Sequence, residues 1–255
     1  MIKIFKKIRK KLLNEGKTTQ YFKYAIGEII LVVVGILIAL QINTWNQNRI
    51  LQIEISTVLQ DIHNEFLQNA QLIVKPIDSI NSTLITGKTL MRLMGQKKKE
   101  IIEQHNIDYL LFQLFAGSRF SPTQNSIADL LQSGRLQLIQ DDKLKILIYQ
   151  WAGQFKSYEI KFERYEKKVD NDVVPYLSKN YSMKDIDIYG NLKWKNKSQL
   201  NVNKIGIFTD IEFENLLDDL LYRLIKTKER TEQLKITIDE IINATAPNHL
   251  KTNNL

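Results

Sequence analysis

The stretch from Tyr24 to Ile42 holds one charged residue, Glu28, in 19 positions and is otherwise almost wholly apolar. As a helix rising ~1.5 Å per residue it is about 28 Å long, close to the ~30 Å hydrocarbon thickness of a bilayer. Tyr21, Phe22 and Tyr24 stand at one end and Trp45 at the other, where amphipathic rings anchor a spanning helix at both interfaces. A buried core helix has similar composition, but not the cationic preface and the aromatic flanks. A cleaved signal peptide shares the basic start, but Ala39-Leu40-Gln41 lacks the small-residue pair a peptidase requires. The reading is an uncleaved signal anchor.

Charge supports that reading. The chain has 255 residues and a formal net charge of +8. Lys3, Lys6, Lys7, Arg9, Lys10, Lys11, Lys17 and Lys23 precede the apolar run with one acid, Glu15, leaving 28 basic against 27 acidic residues in all the rest. A nucleic-acid-binding domain carries its excess charge on a folded face, so no nucleic acid is expected as a partner. The same cations suit anionic headgroups, at about 1 kcal/mol each near the surface. The positive-inside rule puts this end in the cytoplasm and the bulk of the chain across the membrane.

At 100° per residue Glu28, Val32, Gly35 and Ala39 share one arc of the spanning helix. Gly35 and Ala39 form a small-xxx-small pair that lets helices approach closely. This face is a candidate contact with a second copy or with another membrane protein. The bland reading leaves Glu28 reaching the headgroups and Gly35 incidental.

Beyond the membrane the composition is globular, with 44% hydrophobic and 25% charged residues. The fold class is all-α: one N-terminal transmembrane helix followed by an antiparallel helical bundle of long helices. The expected divisions are a basic cytoplasmic tail over 1–23, the membrane helix over 24–42, a helical domain over 43–246 and a disordered tail over 247–255. No Gly or Pro occurs from Ile36 to Lys75, so the spanning helix either continues to Pro76 or breaks at a turn over Asn43–Asn48. Ile55, Val58, Ile62 and Phe66 mark an apolar face there. A second helix follows Pro76 to about Met94, then a solvated turn over Lys97–Glu100, and a third spans Ile107–Ala116. Thr123 is a candidate cap for a helix through Leu131 that Gly134 closes, followed by a connector or extended piece over Arg135–Ile139.

Asp141 caps the clearest helix. Its seam of Leu144, Leu147, Ile148, Trp151, Phe155, Tyr158, Phe162, Tyr165 and Val169 reads as bundle core. Pro175 ends or kinks it. Ser178–Phe208 reads as an irregular surface excursion with a small hairpin near Tyr189–Asn191. Thr209 and Glu212 suggest a capping box for a last helix over Ile211–Ala244. Its polar middle, Lys226–Gln233, is expected to protrude.

Chemistry is sparse. The chain has no Cys, and none of His63, His105 and His249 sits in a Glu-x-x-His or His-Glu-x-x-His arrangement. No phosphate-cradling glycine loop or nucleophile elbow occurs. Glu159, Glu163 and Glu166 share a helix face, but with Lys156, Arg164 and Lys167 beside them they read as a solvated face. Asp61 and Glu65 read as an exposed i, i+4 pair. No catalytic residue, metal or cofactor is assigned. Asn-x-Ser/Thr triplets at Asn81, Asn180, Asn196 and Asn243 carry no meaning outside a glycosylating pathway.

Two blocks resemble a family of membrane-anchored proteins of Bacteroidota, marine flavobacteria in particular. One is Tyr24-Ala-Ile-Gly-Glu through Leu40-Gln-Ile-Asn-Thr-Trp-Asn46; the other is Leu130-Leu-Gln-Ser-Gly-Arg-Leu-Gln-Leu-Ile-Gln-Asp141. The matching positions are Gly27, Glu28, Gly35, Trp45, Asn46, Ser133, Gly134 and Asp141. The resemblance implies an inner-membrane anchor and a periplasmic helical domain, and it brings no activity. The expected function is an interaction or sensory module. The alternative is a tethered enzyme or metal-binding bundle that uses acidic side chains.

Overall fold

The computed structural model describes residues 18–246, and the architecture is all-helical, with no strand among them. Residues 1–17 of the expected tail over 1–23, and the whole expected tail over 247–255 with Pro247 and His249, lie outside the described residues. Two compact units divide at Thr57 and Val58.

The first unit is carried by helix α1, Thr18–Leu72. Its apolar side chains from Ile26 to Ile42 are all exposed, and none of its most apolar 18-residue window is buried. Leaving one such side chain in water forfeits about 1.5–3 kcal/mol relative to burial. The core-helix alternative therefore fails, and α1 is a helix long and apolar enough to cross a membrane. No turn interrupts it over 43–48. There Arg49 lies 5.9 Å from the Trp45 ring centre.

The second unit begins in the last turns of α1. Ile55 and Val58 are half-buried, and Leu59, Ile62 and Phe66 enter the core. The helix stops four residues before Pro76. Proline has no N–H, so the Leu72 carbonyl loses its i+4 donor, and the ring crowds that carbonyl. Ile73 nevertheless stays helical and joins α1 to α2, Val74–Leu93, so Pro76 sits inside the first turn of α2.

The connection after α2 contains a short helix, α3, Lys99–Glu103, where only a solvated turn was expected. Helix α4, Ile107–Leu114, starts on Asn106, whose side chain accepts the Tyr109 N–H at 3.1 Å.

Helix α5, Asn125–Gln132, departs from expectation at its start. Thr123 does not cap it. Instead Glu65 of α1 accepts the Ser126 N–H at 2.7 Å. Asn69, also on α1, accepts the Thr123 N–H and donates to the Thr123 carbonyl, both at 2.8 Å. Glu65 is therefore buried and not half of an exposed pair. Gly134, at φ +72°, ends α5 in the left-handed region that favours glycine. A 3-10 turn over Arg135–Leu138 follows in place of an extended piece.

Helix α6, Asp142–Lys168, starts as expected: Asp141 accepts the Leu144 N–H at 3.1 Å. Of its seam, Phe155 and Val169 are half-buried and the other members buried. Phe66 meets Trp151 edge-on at 5.0 Å, and Phe120 lies edge-on to Trp151, Phe155 and Tyr158. The Phe120 N–H donates to the Tyr158 hydroxyl at 2.6 Å, and burial pushes that phenol up to about 12. Pro175 does not end the helical run. One π-turn, Val169–Val173, absorbs the misfit, and Pro175 enters the first turn of α7, Val174–Asn180. The expected hairpin is absent: α8, Met183–Asp187, precedes plain turns at Tyr189–Leu192.

The last helix, α9, Ile211–Ala244, has the expected bounds but another cap. Asp210 accepts the Glu212 N–H at 2.9 Å, while Thr209 donates to the Gly206 carbonyl. Lys168 meets Asp219 and Gln154 meets Thr237, so α6 and α9 run antiparallel. The polar middle of α9 does not protrude. Thr227 and Thr231 are buried, and each hydroxyl donates to the carbonyl four residues back, at 3.0 and 2.9 Å. With its hydroxyl satisfied inside its own helix, threonine presents mainly a methyl group to its neighbours.

The long-range cap of α5 is testable. Glu65→Ala should lower the unfolding free energy by about 1–2 kcal/mol. Glu65→Gln keeps an oxygen acceptor and should cost less than about half of that. Denaturant titration of the full chain in detergent measures both. Equal losses would show that the negative charge, and not the acceptor, holds α5.

Candidate functional site

The residues singled out from the sequence fall into two groups. Glu28, Val32, Gly35 and Ala39 lie on α1, with nothing near the backbone of Gly27 or Gly35. Tyr24 and Trp45 are exposed; the Tyr21 side chain is outside the described residues. Asn46 is exposed on the same helix. Ser133, Gly134 and Asp141 manage the passage from α5 to α6: Ser133 accepts the Arg135 Nε–H at 3.0 Å, Gly134 makes the left-handed turn and Asp141 caps. These are duties of chain direction. Glu163 pairs with Lys167 at 2.7 Å, and Glu166 with Arg119. His63 is engaged with Thr245 at 3.0 Å. Among the described residues, no three His, Asp or Glu side chains gather to hold a metal ion.

A sizeable opening lies elsewhere, in a part of the chain with little periodicity. A cleft of about 810 Å³ is lined by two stretches, 99–108 and 197–205, and by Tyr181. Asp108 and Asp185, both buried, organise it. Asp108 falls in the first turn of α4, where a carboxylate suits the positive end of the helix. Asp185 falls in α8, beside its cap Ser182.

Asp108 accepts the Tyr181 hydroxyl at 2.6 Å and the Lys197 ammonium at 2.7 Å. Lys204 donates to both its oxygens, at 2.7 and 2.9 Å. Lys204 also reaches Asp185 at 2.5 Å and lies 5.5 Å from the Tyr181 ring centre. The other Asp185 oxygen accepts the Ser198 N–H at 2.6 Å. Two carboxylates meet two ammoniums, so the cluster is neutral overall. Burial alone would raise both acids, but hydrogen bonds to Asp108 from Lys197, Lys204 and Tyr181 outweigh it. Lys204 and the Ser198 amide do the same for Asp185. Both carboxyls are held below the usual range. Burial and Asp108 push the Tyr181 phenol far upward, and Asp108 raises Lys197.

The cluster can hold a loop, with Asp108 as its centre. Its four hydrogen bonds saturate Asp108. The irregular segment around Lys197–Lys204 is thereby tied to α4 and α8, and its Asn201 and Asn203 are set in the cleft wall. Lys99, His105 and Asn106 complete the polar lining, while Ile102, Ile107, Val202 and Ile205 supply apolar area. This mixture suits a small, largely polar ligand.

Sequence reasoning missed this site. The only local signal was Asp108 in an α4 that is otherwise apolar from Ile107 to Leu114 save Gln113. The partner lysines lie 89 and 96 residues away. Compared with protein-family models, curated proteins and solved structures, the chain matches none.

Asp108→Asn removes the charge that both lysines share. Lys197 is exposed enough to return to water, so the loss should be about 2 kcal/mol. Hydrogen exchange should show the Ser198 amide and its neighbours opening faster, with α6 and α9 unchanged. The two depressed carboxyls also set an acid limit. Their stabilisation is complete above about pH 4 and is lost as pH falls through their lowered folded values. Wild type should hold its stability from pH 7 down to near 4 and then lose it. Asp108→Asn should start lower and fall less steeply.

Proposed function

We propose that the protein is a membrane-anchored sensory or interaction module whose helical domain binds a small polar ligand in the Asp108 cleft. The observation that carries this reading is the cleft itself: about 810 Å³, mixed polar and apolar lining, and buried charges already paired. A site whose acids are already paired with lysines favours binding over turnover.

The basic start of the chain and the resemblance to the Bacteroidota family support an inner-membrane location. In that arrangement residues 1–23 contact anionic headgroups on the cytoplasmic side, and the domain stands in the periplasm. The face of Glu28, Val32, Gly35 and Ala39 supports a helix partner, either a second copy or another membrane protein. Such a partner would relay ligand binding across the membrane.

The absence of Cys makes topology directly measurable. Lys195→Cys should react with a membrane-impermeant maleimide on intact cells, and Gln20→Cys only after lysis. The reverse pattern would overturn the orientation. For the ligand, native mass spectrometry of protein purified from its own membranes should show a bound small molecule. A double variant, His105→Leu with Asn201→Leu, should lose it while melting within a few degrees of wild type. A wild-type protein that carries nothing beyond lipid would argue against the cleft.

A further inference from the structure

A second cleft, of about 220 Å³, lies between α6 and α9 and is lined by Lys161, Arg164, Asp219, Tyr222, Arg223 and Lys226. Four of these six are cations. Their partners are unevenly shared. Arg223 grips Asp219 with both Nε and a terminal nitrogen, each at 3.1 Å, and Lys168 adds a third contact at 3.0 Å. Asp219 is thus shared between Arg223 and Lys168. Lys168 also takes Asp172 at 2.8 Å, and Lys226 takes Glu229 at 2.8 Å. Among the described residues neither Lys161 nor Arg164 has an ion pair or hydrogen bond, although Lys161 is half-buried. Five cations against Asp172, Asp219 and Glu229 leave a formal +2.

Like charges that share one lining repel, and the half-buried Lys161 ammonium is less screened by water than the exposed Arg164 guanidinium in the same helix. A ligand with two negative charges removes that repulsion. The guanidinium plane of Arg164 offers two parallel N–H donors, the geometry that matches two oxygens of a phosphate. Lys161 and Lys226 provide single ammonium donors. We infer that this cleft binds a phosphate monoester through Arg164, Lys161 and Lys226, with Arg223 held in place by Asp219. The group's two charges match the surplus, and its three terminal oxygens match three donors. A single carboxylate would meet only half the charge.

The ligand is distinct from that of the Asp108 cleft, and neither site depends on the other. A phosphate monoester is carried both by small metabolites and by phosphatidic acid, so the experiment separates the two. The full chain is placed in nanodiscs of phosphatidylcholine, and calorimetry follows glycerol phosphate, with succinate as the dicarboxylate control. A parallel set of nanodiscs contains phosphatidic acid. Saturable binding of glycerol phosphate, about tenfold tighter than succinate, supports a soluble ligand. Stabilisation only in the phosphatidic acid discs supports a headgroup.

In either case Lys161→Ala with Arg164→Ala should weaken binding about tenfold or more. Lys161→Arg should largely retain it, and both changes lie on partly exposed positions that leave the seam intact. Three results would overturn the inference: equal binding of succinate, an undiminished response in the double variant, or no response in either arm.

Discussion

A helical domain satisfies its backbone within each helix, so the physical problem falls on the connections, whose N–H and C=O groups have no ladder to join. In this protein a few buried polar side chains solve it from a distance. Glu65 and Asn69, one helical turn apart on α1, supply the missing partners of Thr123 and Ser126. Asp185 does the same for Ser198. Asp108 holds no backbone group but fixes the two lysines that flank the cleft wall. Without Asp108 and Asp185 the core helices would still pack, but the segment over 197–204 would lose these ties to α4 and α8.

Each of these anchors carries a cost that its partners offset. A carboxylate taken out of water loses several kcal/mol of hydration. Three donor groups on Asp108, two of them charged, make four hydrogen bonds and return enough for the acid to stay ionised more readily than in solution. One oxygen of Glu65 accepts the Ser126 amide, while the other, like the Trp151 indole nitrogen, has no partner among the described residues. The fold therefore contains one anchor that is completely satisfied, in the cleft, and one that is not, beneath the aromatic seam.

This difference also explains what was legible in the sequence. The long elements were visible because burial leaves a period. The seam of α6 at three- and four-residue steps, the bounds of α9 and the apolar run of α1 all emerged with little error. The Asp141 cap and the Gly134 turn were legible too, because cap and turn act over three residues. The anchors were not, because their partners lie 13 to 96 residues away and nothing in the local pattern marks them. Glu65 looked like a surface acid, and it is the burial of its helix face that makes it a cap. Thr227 and Thr231 misled in the opposite sense. Counted as polar, they made the middle of α9 look solvated; with their hydroxyls turned onto their own helix they pack as small branched side chains.

The two clefts differ in the same currency. In the larger one charge is balanced before any ligand arrives, so a ligand must compete for hydrogen bonds and apolar area and gains little from net charge. In the proposed reading its selectivity would reside in His105, Asn201 and Asn203, groups that can donate and accept. In the smaller one the protein's own carboxylates fall two short, and a ligand is favoured by charge first and by shape second. Raising ionic strength should therefore weaken binding at the α6–α9 cleft much more than at the Asp108 cleft, because screening acts on the uncompensated surplus and leaves a neutral buried cluster nearly untouched.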